Sequence, residues 1–143
     1  MDVTGATLYL LDTNTVAYVV SGRSRAARVA MAETKERFPV GISAITEAEM
    51  LYGLAKKPEA TRLRAGVEAL LGSLEILPWD SAAARAYGTL RARLTAAGKS
   101  LSAMDLLIAA HAISVDAVLV TNDAAFQHVE ALRPVVNWAT DLV

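Results

Sequence analysis

Two short apolar runs that each end in an acid constrain this chain more than any other feature. Leu8-Tyr9-Leu10-Leu11 leads directly into Asp12-Thr13-Asn14, and Ala117-Val118-Leu119-Val120 leads into Thr121-Asn122-Asp123. Unbroken apolar runs this short suit strands covered on both faces, the condition of a parallel sheet between helical layers. Such a sheet brings the carboxyl ends of its strands to one edge, so acids placed there can converge on one crevice. Two more carboxylates, Glu49 and Asp105, open or flank apolar helical segments. Several carboxylates in one crevice repel each other unless cations neutralise them, and their hard oxygens suit Mg²⁺ or Mn²⁺.

The segments between these runs read as alternating helices and strands. Asp12 to Val20 is helical and is broken at Ser21-Gly22; Arg25 to Glu36 is a second helix with a charged outer face. Phe38 to Ile42 is a short strand, and Ser43 caps a helix reaching about Lys56. Pro58 suits the first turn of a helix running to about Leu71. Leu74–Leu77 is a strand, Asp80 caps a helix from Ser81 to Ala97 closed by Gly98, and Ser102 starts an apolar helix from Ala103 to Ile113. Ala117–Val120 is a buried strand, and Val135-Val136 forms a last short one. Strands alternating with helices, with no linker or repeat between them, indicate one three-layer α/β/α domain over residues 1–143 with a mostly parallel central sheet.

The composition removes several chemistries. There is no cysteine, so thiol catalysis, disulfides and thiolate metal sites are excluded, and two histidines are too few for a His-rich zinc site. No Ser/His/Asp set stands out. With 14 basic and 15 acidic residues the net charge is −1, so contact with nucleic acid must come from a local basic patch or from bridging metal ions. Arg85, Arg91, Arg93 and Lys99, on or just after the long helix, are the candidates for such a patch; a solvated helix face explains them equally well. Hydrophobic residues make up 54 % of the chain, a surplus that suggests a partner or self-association. No segment approaches the roughly 20 apolar residues that span a bilayer, and Met1 to Thr7 lacks a signal-peptide pattern, so the expected location is the cytoplasm.

Each acid also has a plain structural reading. Asp12 can cap the first helix, and Asp123 the turn from Ala124 to Gln127. Ser102 and Asp105 fit a capping box, and Glu49 can be a solvated helix residue. Capping and metal binding are compatible, because a helix start already lies at the sheet edge; the coincidence of four such acids favours a site. Glu47 and Glu49, about 200° apart around a helix, cannot both face it, and periodicity alone does not choose between them. His111 lies about 240° from Asp105 and is expected to pack rather than ligate. Asp80 and Asp116 read as a cap and a turn acid, and Trp79 and Trp138 as core.

Leu11-Asp12-Thr13-Asn14 resembles the opening motif of the PIN-domain ribonucleases. The segment from Ile42 to Gly53 is similar to that family's S-x-x-T-x-x-E-L-x-x-G pattern, with Met50 in place of the usual Leu. Asp105-Leu106-Leu107-Ile108-Ala109-Ala110 resembles its D-x-x-I-A-A helix start, and Val118 to Phe126 its L-V-T-x-[DN]-x-x-F strand and loop. The similarity runs through nearly the whole chain in order and is nearest to the VapC-type toxins of bacterial toxin–antitoxin pairs. It selects Glu49 over Glu47. It implies a PIN domain in which Asp12, Glu49, Asp105 and Asp123 hold Mg²⁺ or Mn²⁺ and an activated water cleaves RNA. Asp12 and Asp105 would be the direct ligands, with Thr13, Asn14 and Thr121 holding the carboxylates. It further implies a small antitoxin packed on the side of the second and fourth helices, and a homodimer or higher assembly with it.

Two rivals are open on the sequence. A haloacid-dehalogenase-type phosphatase needs D-x-D-x-T, but here the second acid is Asn14, which cannot serve as general acid. A catalytically silent binding domain of the PIN fold would have little use for four crowded carboxylates.

Overall fold

The computed structural model describes residues 7–142. The residues preceding them, which the sequence reading left without a role, lie outside that range. Four strands, β1 (Tyr9–Leu11), β2 (Val40–Ser43), β3 (Glu75–Leu77) and β4 (Val118–Val120), form one sheet in the order β3-β2-β1-β4, with every pairing parallel. Six helices connect them: α1 (Thr13–Ser21), α2 (Arg25–Lys35), α3 (Ala44–Ala55), α4 (Thr61–Ser73), α5 (Ser81–Ala96) and α6 (Ala103–Ser114). A 3₁₀ turn, Ala124–His128, follows β4.

Residue alternation along the central strands splits the core into two halves. Leu10 and Leu119 are paired in register and face a cluster built from Leu90 and Leu94 of α5 and Ile108 and Ala109 of α6. Their neighbours Leu11 and Val120 face the opposite cluster, with Val16 and Val19 of α1, Ala27 of α2 and Leu70 of α4. Successive strand side chains point to opposite faces, so unbroken apolar strands require helices on both sides. The three layers expected from the sequence follow from this.

Chain order places the crevice. From β1 the chain moves outward through β2 to β3, then returns to add β4 on the other side of β1. The direction of winding therefore reverses between β1 and β4, and a ligand crevice opens outside the carboxyl ends of strands at such a reversal. Asp12 follows β1 there, and Thr121 and Asp123 follow β4.

Three expectations need correction. Pro58 does not open α4: the backbone makes a turn in which the Ala60 amide donates to the Lys57 carbonyl, and α4 starts at Thr61 with no side-chain cap. Local turn formation there outweighs proline's preference for a first helical turn. Val135-Val136 is no strand but a single parallel bridge from Val136 to Val120, with the Thr121 amide donating to the Val136 carbonyl at 2.9 Å. Pro134, which has no amide hydrogen, limits pairing on that side. Trp79 is half-buried rather than core, its indole Nε1 donating to the Leu107 carbonyl at 2.9 Å, whereas Trp138 is buried and stacks on Tyr9.

Candidate active site

Three of the four acids, Asp12, Asp105 and Asp123, are placed by the start of a helix or 3₁₀ turn. Asp12 caps α1: its Oδ1 accepts from the Thr15 amide at 2.8 Å, while its own amide donates to the Val120 carbonyl at 3.0 Å and ties β1 to β4. Ser102 caps α6 by accepting from the Asp105 amide at 3.2 Å, which sets Asp105 in the first turn. Asp123 caps the 3₁₀ turn through the Ala125 amide at 2.9 Å, and its own amide donates to Thr121 Oγ1 at 3.0 Å. Capping and the crevice thus use the same residues, as the sequence allows.

Glu49 comes from within α3, and it is not a freely solvated residue. Thr13, directly after Asp12, donates its hydroxyl to Glu49 Oε1 at 2.7 Å. The Thr13 hydroxyl also lies 3.2 Å from that of Thr46, which is wholly buried one turn before Glu49. That bond ties Glu49 to the residue that follows Asp12.

The other expected supports divide. Thr121 is buried beside Asp12 and its hydroxyl favours the charged form of that carboxyl. Asn14 is exposed, one further step of about 100° along α1 from Thr13. Thr15 and Thr46 were missed. Thr15 is buried and also donates its hydroxyl to the Val120 carbonyl at 3.2 Å, fixing α1 across the β1–β4 reversal. The available signal for both was a threonine at a position whose helical neighbours are apolar.

Electrostatics identify Asp12 and Asp105 as the perturbed pair. Burial pushes the Asp12 carboxyl above the ordinary carboxylate range, against the lowering effect of Thr121 and Thr15; the negative charge of Asp105 adds a little. Asp105 is raised as well, again chiefly by burial, with repulsion from Asp123 and Glu49 as lesser causes and the Ser102 hydroxyl opposing. For both acids burial is the larger cause and repulsion between carboxylates adds to it in the same direction. The repulsive contributions still show that the four acids share one neighbourhood.

They do not form a closed cage. Among the described residues no three Asp, Glu or His side chains converge tightly enough to hold one ion between them. The donor set nonetheless fits a hard divalent cation of the magnesium type, which keeps several waters and takes only one or two carboxylates directly. Two partly desolvated carboxylates at the mouth of a crevice, with two more nearby, meet that requirement.

The basic residues named from the sequence separate too. Arg85 and Arg93 flank an apolar hollow of about 290 Å³ floored by Leu90 and Ile113. Arg93 and Lys99 border an adjoining hollow of about 150 Å³ with His128. Arg91 turns away and donates to the Tyr87 hydroxyl at 3.0 Å. His111 is buried behind the site with Nδ1 2.7 Å from Ser43 Oγ, the packing role expected of it.

A family model described as the PIN domain matches residues 9–132, which contain all four acids. The chain belongs to the PIN domain family. Within it, the chain is 36 % identical over 131 residues to Ribonuclease VapC2 of Haemophilus influenzae, covering 91 % of this chain and 97 % of that protein. It is 31 % identical to the tRNA(fMet)-specific endonuclease VapC of Shigella flexneri, covering 87 % and 94 % of the two chains. In three dimensions this PIN domain is similar to a chain of the VapBC2 complex of Rickettsia felis bound to a promoter DNA fragment. That match has a TM-score of 0.86 at 30 % identity and covers 92 % of this chain and 99 % of the other. A DNA-bound VapBC from Salmonella typhimurium superposes with a TM-score of 0.84 at 32 % identity, covering 92 % and 98 %. This PIN domain therefore sits among the VapC ribonucleases along nearly its full length, and no feature of the crevice favours a phosphatase or a silent binding domain.

Proposed function

We propose that this PIN domain is a VapC-type endoribonuclease, the toxin of a bacterial toxin–antitoxin pair, acting in the cytoplasm with Mg²⁺ or Mn²⁺. Ribonuclease activity and an antitoxin partner are supported by full-length relatives named as VapC ribonucleases and by VapBC complexes of the same fold. The catalytic reading is supported by Asp12 and Asp123 standing at the β1–β4 reversal and by the raised carboxyls of Asp12 and Asp105.

Asp12 and Asp105 would hold the metal, with Glu49 and Asp123 at its water shell. Bound there, the metal would lower the pKa of a water to make the nucleophile and stabilise charge on the phosphate. The chain's own part is to hold the carboxylates in place. Thr15 fixes Asp12 and Thr121 favours its charged form, Thr13 aims Glu49, Ser102 steadies Asp105, and buried Thr46 backs Thr13. Arg93 and Lys99, on the helix and loop that lead to Ser102, are offered as contacts for RNA phosphates; Arg91, engaged by Tyr87, is the weakest of the four.

The antitoxin reading has a matching surface. A groove of about 410 Å³ between α1, α2 and α4 is lined by Val19, Val20, Met31, Ala69 and Leu70, with Arg28 at its rim. An apolar antitoxin segment fits it, and a basic antitoxin side chain reaching the acids would compete with metal. Exposed Leu51 and Tyr52 on α3, the latter 64 % exposed, are apolar surface for a second copy.

The decisive experiment incubates purified protein with cellular RNA, with and without Mg²⁺ or Mn²⁺, and maps new ends. Asp12→Asn or Asp105→Asn should abolish cleavage while the circular dichroism spectrum is unchanged, since shape is kept and charge is lost. Cleavage at the parent rate by either variant at saturating metal would remove the carboxylates from the mechanism.

A further inference from the structure

Beside the crevice, on the outer side of β4, lies a small pocket that the cleavage chemistry does not use. Its volume is about 200 Å³, and Thr121, Asp123, Asn122, Gln127, Val136 and Asn137 are among its walls. Two of those residues belong to the crevice itself: Thr121 lies beside Asp12, and Asp123 is one of the four acids. The pocket and the scissile site are thus one continuous surface.

The chemistry of the wall is unusual for this protein. Three carboxamides, Asn122, Gln127 and Asn137, meet there, and the only formally charged side chain among the lining residues is Asp123. Neutral amides add little to the attraction of a phosphate backbone. They present donors and acceptors side by side, which suits reading the edge of a nucleobase. The existing bonds leave complementary groups free. Asn137 Oδ1 is engaged by the Ala139 amide at 2.9 Å, which leaves its Nδ2 to donate. Asn122 Nδ2 donates to the Tyr18 hydroxyl at 3.4 Å, which leaves its Oδ1 to accept. Gln127 is exposed at the rim with both functions available.

Size narrows the occupant. At about 30 Å³ per water molecule, the space equals about seven waters, below the roughly 300–1,000 Å³ of ordinary small-molecule pockets. It suits one unstacked base. Sequence-specific recognition of single-stranded RNA works by splaying out bases and bonding their polar edges.

We propose that this pocket holds one base of the RNA next to the cleaved bond, that Gln127, Asn137 and Asn122 read it, and that adenine is preferred. The preference follows from the pairing of a carboxamide with adenine N6 and N7. The inference rests on the ribonuclease reading of the crevice, and it makes cleavage selective through hydrogen bonds rather than through charge.

Two measurements test it. The first maps cut sites on a random-sequence RNA pool for the parent, Gln127→Ala and Asn137→Asp. The aspartate keeps the oxygen that accepts from the Ala139 amide but loses the Nδ2 donor. The parent should show enrichment of adenine at one position within two nucleotides of the cut, and each variant should flatten it by about tenfold. The second measures binding of four RNA tetranucleotides, differing in one base, to the same three proteins in EDTA. The adenine-containing one should bind several-fold more tightly to the parent, and equally with the rest to the variants. Base-selective binding without cleavage would retain the pocket and sink the ribonuclease reading. A parent with no base preference, or variants that cut more slowly with the parent's preference intact, would overturn the pocket. So would variants that lose antitoxin binding or self-association while the base spectrum stays unchanged.

Discussion

Thr13 donates a 2.7 Å hydrogen bond to Glu49 Oε1, so the residue that follows the first acid of the crevice aims the second, 36 positions away in the chain. The bond joins the carboxyl end of β1 to the middle of α3. The contact holds Glu49 against the residue that follows Asp12.

Removing that bond while keeping its shape should show what it contributes. Thr13→Val should lower cleavage about tenfold or more, since a hydrogen bond to a charged group contributes about 1.5–3 kcal/mol, and Thr13→Ser should restore it. The melting temperature of Thr13→Val should fall too, because buried Thr46 loses its hydroxyl neighbour, and Thr13→Ser should restore it. Cleavage rates and thermal melts of the two variants check this; equal rates for parent and Thr13→Val would mean that Glu49 does not need aiming.

Without metal, the raised carboxyls of Asp12 and Asp105 make folding pH-dependent. A group raised in the folded state adds stability that is complete below its unfolded pKa and is lost as pH rises through the folded value. The metal-free protein should therefore lose stability from these two acids as pH rises above the ordinary carboxylate range. Asp105→Asn should raise the metal-free melting temperature at neutral pH and bring no such gain at acidic pH. A divalent ion that binds only the folded form adds about 2.7 kcal/mol at a hundredfold excess over Kd. Millimolar Mn²⁺ should then raise the melting temperature at neutral pH more than at acidic pH, and less in Asp105→Asn. Identical melts in EDTA and in Mn²⁺ at neutral pH would rule out a metal site.

Glycine positions separate packing from propensity. A Cβ on Gly41, in β2, would lie 2.7 Å from the Glu75 carbonyl oxygen and 2.8 Å from Leu77 Cδ1. Gly41→Ala should cost about 1–3 kcal/mol, because the backbone of β3 would have to shift. At Gly53 in α3 an added Cβ meets no atom within 4 Å, so Gly53→Ala should stabilise by about 0.5–1 kcal/mol. Urea titrations of the two variants should move in opposite directions; a loss of stability in both would refute the packing argument at Gly53.

The layered fold was legible in the chain because burial on both faces leaves its own mark. Leu10, Leu11, Leu119 and Val120 have no polar neighbour to turn outward, which is the condition of central parallel strands. Asp12 and Asp123 were legible for a related reason, since a helix start after a strand both attracts an acid and lies at the sheet edge, and Asp105 was legible from the Ser102 cap of an apolar helix. These are local effects, and the residues that produce them are adjacent in sequence. The tertiary structure decided what depends on distant partners. The Thr13 hydroxyl that opens α1 bonds Glu49 in α3, and one helical step leaves Asn14 exposed. Val136 adds one bridge rather than a strand, and burial more than repulsion raises Asp12 and Asp105. The amide pocket beside Asp123 draws Asn122, Gln127 and Asn137 from the two segments that flank the end of β4. Periodicity reports which face of an element is buried, but what meets that face depends on how the chain winds back across the sheet.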